Sequence, residues 1–166
     1  MTHLRAKTIA VSLVAGLSLA ACGDDGGGES LSKEDFIAQA DAICADHGTQ
    51  LDAIFEEAFA EVDETDMDDP QAAAQQYAGV VADSEPVMRD QVEALRALEP
   101  PEADADELNS QLDALDAAVT EFVDLTEDGA AGDEAALAAI ESDVDPFAAV
   151  NERAFEYGLR VCGSGN

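Results

Sequence analysis

The chain has 166 residues, with 38 acidic side chains against 7 basic ones and a formal net charge of −31. So large an acidic excess argues against nucleic-acid binding, because phosphate contacts need Lys and Arg, and against electrostatic adhesion to anionic lipid. The length suits one domain, and the acids are spread along it, as on the solvated surface of helices. Scarce lysine and abundant aspartate point to adaptation to high salt, where counter-ions screen self-repulsion. A cationic partner is the competing reading.

Residues 1–21 carry the parts of a secretory signal. Arg5 and Lys7 are its positive start, 9–19 its apolar run, and Leu19-Ala20-Ala21 its small-residue exit. The apolar run is shorter than the roughly 20 residues that span a bilayer. The exit abuts Cys22, and the whole resembles a bacterial lipoprotein signal with its lipobox. That resemblance implies a diacylglyceryl thioether on Cys22, cleavage before it, and acylation of the new amine. Two or more acyl chains anchor stably where one is marginal, so the expected location is the outer, extracytoplasmic side of the cell membrane. Loss of Arg5 and Lys7 with the leader takes the charge to −31 − 2 = −33. Residues 22–31, with Gly23, Gly26, Gly27 and Gly28, read as a flexible tether reaching about 15–20 Å.

From 32 to 166 the apolar pattern is helical, and no strand-like alternation appears. Ser32 is the expected N-cap of a first helix ending near Val62, with Phe36, Ala40, Ile43, His47, Leu51 and Ile54 on one stripe. Residues 61–69 form an acidic loop. Asp69-Pro70 then supplies an N-cap and an N1 proline. The second helix carries Tyr77, Val81, Ser84, Met88 and Leu95, with a kink or split expected at Pro86. Pro100-Pro101 stops it. The third spans about 102–125, with Leu108, Leu112, Leu115, Val119 and Phe122 inward and Gly129 in its terminating turn. The last segment starts near Asp133, breaks and restarts at Asp145-Pro146, and ends at Gly158-Leu159 in a Schellman turn. The expected fold is all-α: an antiparallel up-down bundle of about four helices. Its alanine-rich core is expected to be narrow, with closely packed helices.

With Cys22 lipidated, Cys44 and Cys162 remain as an even pair. An oxidising compartment makes them an expected disulfide; two buried free thiols are the alternative. The up-down topology independently returns the last helix to the start of the first. Three stretches carry a further resemblance: Phe36-Ile37-Ala38-Gln39-Ala40-Asp41-Ala42-Ile43-Cys44, Leu95-Arg96-Ala97-Leu98-Glu99-Pro100-Pro101, and Tyr157-Gly158-Leu159-Arg160-Val161-Cys162-Gly163. Together they resemble a set of small, uncharacterised helical lipoproteins of actinobacteria. The resemblance implies the anchor, the helices and the paired cysteines, and no catalytic residues.

A search for reactive constellations finds little. His47 is the one histidine beyond the leader, on an apolar stripe, and a structural role is its plain reading. A carboxylate-bridged di-iron bundle needs two Glu-x-x-His motifs. Two cysteines fall short of a four-ligand zinc site. Residues 63–69 lack the glycine and terminal glutamate of an EF-hand loop, and Asp104, Asp106 and Glu107 suit a helix N-terminus. No phosphate-binding loop, G-x-S-x-G or H-E-x-x-H occurs. The sequence therefore points to a non-enzymatic binding or interaction module without metal or cofactor. Its partner is an unknown protein or small molecule, and His47, Tyr77 and Tyr157 are weak candidate ligand contacts. The alternatives are a small-molecule or cation-binding accessory to transport or sensing, and an acidic structural envelope protein.

Overall fold

The computed structural model describes residues 30–60, 69–142 and 145–164. The leader, Cys22, most of the tether, Val62 and residues 61–68 of the acidic loop lie outside the described residues. Five helices follow in order, and no strand occurs among the described residues.

Helix α1 spans Lys33–Ala60. The Ser32 hydroxyl accepts from the Asp35 N–H at 3.1 Å and donates to the Asp35 carboxylate at 2.7 Å. This is a capping arrangement that satisfies one of the helix's orphan donors. Just before it, the Leu31 N–H donates to the Glu99 carbonyl at 3.1 Å, and Leu31 packs on the core. The folded unit thus takes in the last residue that the sequence assigns to the tether.

Helix α2 spans Pro70–Arg96. Asp69, in extended conformation, accepts from the N–H groups of Gln71 and Ala72. The helix runs unbroken through Pro86 rather than splitting there. Pro86 and Ala82, whose carbonyl loses its i+4 donor, are both on the exposed face, where water can serve that carbonyl.

Helix α3 spans Ala105–Ala130, one turn beyond the expected end. Gly129 is not its stop signal. It is buried where α3 meets the next helix, and a Cβ there would lie 2.7 Å from Ile140 Cδ1. The chain turns instead at Gly132, whose φ of 90° favours glycine. Helix α4, Glu134–Glu141, is capped by Asp133, which accepts from Ala135 and Ala136 N–H at 2.9 Å.

Helix α5, Ala148–Tyr157, follows Asp145-Pro146, and Asp145 accepts from the Phe147 N–H at 2.8 Å. At its end Gly158 has φ 118°, and the Leu159 N–H donates to the Ala154 carbonyl at 2.9 Å. Leu159 is buried, completing a Schellman-type end with its hydrophobic contact. The segment expected as one helix broken at Pro146 is therefore two helices.

Helix α2 packs against α1 and α3, and α3 also against α4 and α5. Packed helices sit about 8–10 Å apart, axis to axis. Here no described Cα of α1 comes within 8 Å of α3 or α5. A link between the two ends of the domain is covalent: Cys44 and Cys162 stand at disulfide distance, 2.03 Å. One cluster of core residues, including Phe36, Ala40, Leu95, Leu108 and Tyr157, gathers around this pair.

Candidate functional site

The sequence singled out the cysteine end, and the structure shows a dense clamp there. The Asp41 carboxylate accepts from three successive backbone N–H groups, those of Arg160, Val161 and Cys162, at 3.0, 2.9 and 3.2 Å. Successive N–H groups pointing to one place form a small anion nest, and here the protein's own carboxylate fills it. Gly163 lies so close to α5 that a Cβ would be 2.5 Å from the Phe155 nitrogen.

Tyr157 belongs to this clamp. Its hydroxyl donates to Asp104 at 2.7 Å, its ring meets Phe36 edge to face, and the Lys33 ammonium sits 3.9 Å from the ring centre. Burial, then the Asp104 hydrogen bond and nearby carboxylates, push its pKa well above the usual tyrosine value.

His47 is also buried, and both ring nitrogens face acceptors. Nδ1 is 2.9 Å from the Ile43 carbonyl and Nε2 is 3.0 Å from the Asp90 carboxylate. Two acceptors call for two ring protons, so the site favours the imidazolium. Burial lowers its pKa. The hydrogen bonds to Asp90 and Ile43 and the charges of Asp90 and Asp46 outweigh that and raise it.

Neither His47 nor Tyr157 borders the apolar space lined by residues of α1, α2, α3 and α5. That space is a channel of about 360 Å³ in the gap between α1 and the α3–α5 side, with α2 forming another wall. The first helix contributes Phe36, Leu51 and Phe55, and α2 contributes Met88 and Leu95. Along α3 the wall runs from Leu108 to Phe122, about 20 Å at 1.5 Å per residue. Phe147 and Val150 close the α5 side. The closely packed helices expected from the alanine content form between α2 and α3, while α1 stands off from α3 and α5. The inward stripe of α3 is as predicted, but much of it faces a channel.

Three of the channel's polar wall groups have partners within the protein, and Asn151 is a fourth polar group that lines it. The Ser84 hydroxyl donates to the Val80 carbonyl at 2.8 Å, Gln91 to Cys44 Sγ at 3.3 Å, and Gln111 to Glu107 at 3.4 Å. Asp145 is the one ionisable side chain on the wall among the described residues. Such a wall can hold an apolar body and offers no base–nucleophile pair.

Tyr77 lines a second, more open cleft between α2 and α4, with Val80, Leu137 and Ile140. It reaches the channel only indirectly. Its ring packs edge to face on Phe122, which packs likewise on Phe147. Burial raises its pKa. No described helix is long and apolar enough to cross a membrane, and no group of three or more His, Cys, Asp or Glu among the described residues is placed to hold a metal.

Asp41, Asp90 and Asp104 were not foreseen as partners, since one carboxylate among 38 acids carries no distinguishing mark. A hint existed for Asp41, which lies three residues before Cys44 on the same helical face. Comparison of the chain with protein-family models, with curated proteins and with solved structures returns no match.

Proposed function

We propose that this is a lipoprotein, anchored through Cys22 on the extracytoplasmic side of the membrane, whose helical domain binds a small apolar ligand without catalysis. The observation that carries the binding role is the channel. Its volume falls within the range of about 300–1,000 Å³ of small-molecule sites, and it exceeds twice the roughly 150 Å³ apolar cavity that admits benzene. The internal pairing of Ser84, Gln91 and Gln111 leaves Asn151 and Asp145 as the polar groups a ligand would meet on a mostly apolar wall. The anchor rests on the leader, the Leu19-Ala20-Ala21-Cys22 exit and the Gly-rich stretch behind it. A cysteine pair at disulfide distance suits an oxidising compartment.

In this reading the helices follow an up-down course, with α4 and α5 sharing the place of a fourth helix. The acidic surface serves solubility at high salt. Native mass spectrometry and organic extraction of the chain carrying Cys22→Ser, produced in its own host and purified without detergent, test the binding role. A stoichiometric apolar compound is expected. A bare chain that also takes up no apolar dye contradicts it.

An interaction role is a second reading. It is favoured by Phe155 and Val161, large apolar side chains exposed at 49 % and 42 % beside the cysteine pair. Cross-linking that captures one defined protein through this corner, and that fails with Phe155→Ser, would support it.

A further inference from the structure

We infer that the channel's occupant is a single extended alkyl chain carrying an uncharged or cationic head, a single-chain lipid rather than a compact or anionic molecule. This rests on the binding role proposed above and specifies it. Two independent observations carry it, one of shape and one of charge.

The lining is long. The same cavity touches Phe36 and Phe55, nineteen positions apart on α1, and Leu108 and Phe122, fourteen apart on α3. At 1.5 Å per residue the α3 wall alone is about 20 Å long. A volume of about 360 Å³ spread over that length suits a slender body. A compact cage would leave most of the length empty. An extended alkyl chain fills it and can follow its course by bond rotation.

The charge argument concerns the head. No lysine or arginine lines the channel among the described residues, and its one charged wall group is Asp145. Nearby arginines are engaged elsewhere: Arg89 with Glu85 and Asp116, Arg96 with Asp113 and Asp116. A carboxylate or phosphate head lying at the Asp145 end would find no compensating cation on the wall, on a protein of formal charge −31. A trimethylammonium or sugar head meets no such penalty.

The test uses the full chain carrying Cys22→Ser, so that no lipid is attached, purified without detergent and checked for the intact disulfide by mass. It is titrated by calorimetry with alkyl maltosides, alkyltrimethylammonium ions and alkanoates from octyl to octadecyl, each below its micelle threshold. Adamantanemethanol, a compact cage, is the control. Binding should be one to one and tighten about fourfold per methylene. It should then level off at roughly sixteen carbons, the length of an alkyl chain that spans a 20 Å wall. Alkanoates should bind at least about tenfold more weakly than trimethylammonium ions of equal length. Tight cage binding, or no dependence on chain length, overturns the alkyl-chain inference while leaving an apolar site. Equal affinity for alkanoates overturns the head-group assignment. A dimer that excludes every probe shows a second copy in the channel and overturns the inference. Failure of a monomer to bind any probe overturns the binding role itself.

Discussion

The cysteine pair and Asp41 hold one short tail, and this makes their energetics separable. Cys44 and Cys162 are 118 residues apart. Closing a loop of that length removes unfolded-state entropy worth about 5 kcal/mol in the chain-entropy model. The double variant Cys44→Ser/Cys162→Ser should therefore lower the unfolding free energy by about 3–5 kcal/mol, since measured values often fall below the model. Asp41→Ala removes the acceptor of three N–H groups that are largely open to water. Its cost in the oxidised protein should be about 1–2 kcal/mol, that of an exposed charge-assisted bond set. With the bridge gone, Asp41 is the main tie described for residues 160–162. The tail should then leave as a unit, and the further cost of Asp41→Ala should fall below its cost in the oxidised protein. Urea unfolding of wild type, Asp41→Ala, the cysteine variant and the triple variant closes the cycle. A cysteine variant within about 1 kcal/mol of wild type would refute the loop-closure argument. Strict additivity would refute the claim that bridge and carboxylate hold the same segment.

Other outcomes follow from single contacts. Gly163→Ala should destabilise by about 2 kcal/mol or more, because the added Cβ meets backbone of Phe155 and Leu159 that cannot yield. Gly129→Ala should be far milder, since it meets only side-chain ends, closely that of Ile140 and at ordinary contact distance that of Leu137, and gains about 1 kcal/mol of helix propensity; thermal melts rank the two. His47 has a raised folded pKa, so its stabilising contribution is complete below the unfolded value near 6.5 and is lost as pH rises through the folded pKa. Wild type minus His47→Gln stability, measured by urea between pH 5.5 and 8.5, should fall with pH, and a flat difference would contradict the imidazolium assignment. Absorbance titration of the folded chain should show both tyrosines ionising above their ordinary range. Tyr157→Phe should cost about 1–2 kcal/mol through the lost Asp104 bond.

Much of the framework was readable because short-range chemistry fixes it. Ser32, Asp69 and Asp133 each cap a helix as their side chains dictate, and Gly158 adopts the left-handed conformation its position calls for. The cysteine pair followed from counting once Cys22 was set aside. Periodicity also found the faces: Leu108 and Val119 are buried where expected. It does not state what a face meets. Leu112, Leu115 and Phe122 read alike whether the opposite helix interlocks with them or stands away, so the channel was invisible. Gly129 misled because the same residue serves both a helix stop and a close helix contact, and only the position of Ile140 separates the two. No split occurs at Pro86 because a proline on a water-facing helix surface loses a bond that solvent replaces.

The claim that the channel receives an apolar ligand is tested most directly by filling it. Leu115→Trp places an indole on the channel wall, and Phe155→Ser alters an exposed side chain that does not line it. Both are titrated beside wild type with phenylnaphthylamine, an uncharged dye that fluoresces in apolar surroundings. A saturable one-to-one signal in wild type and Phe155→Ser, lost in a folded Leu115→Trp, is the predicted result. Equal signals in all three, or none in wild type, would contradict the binding role of the channel.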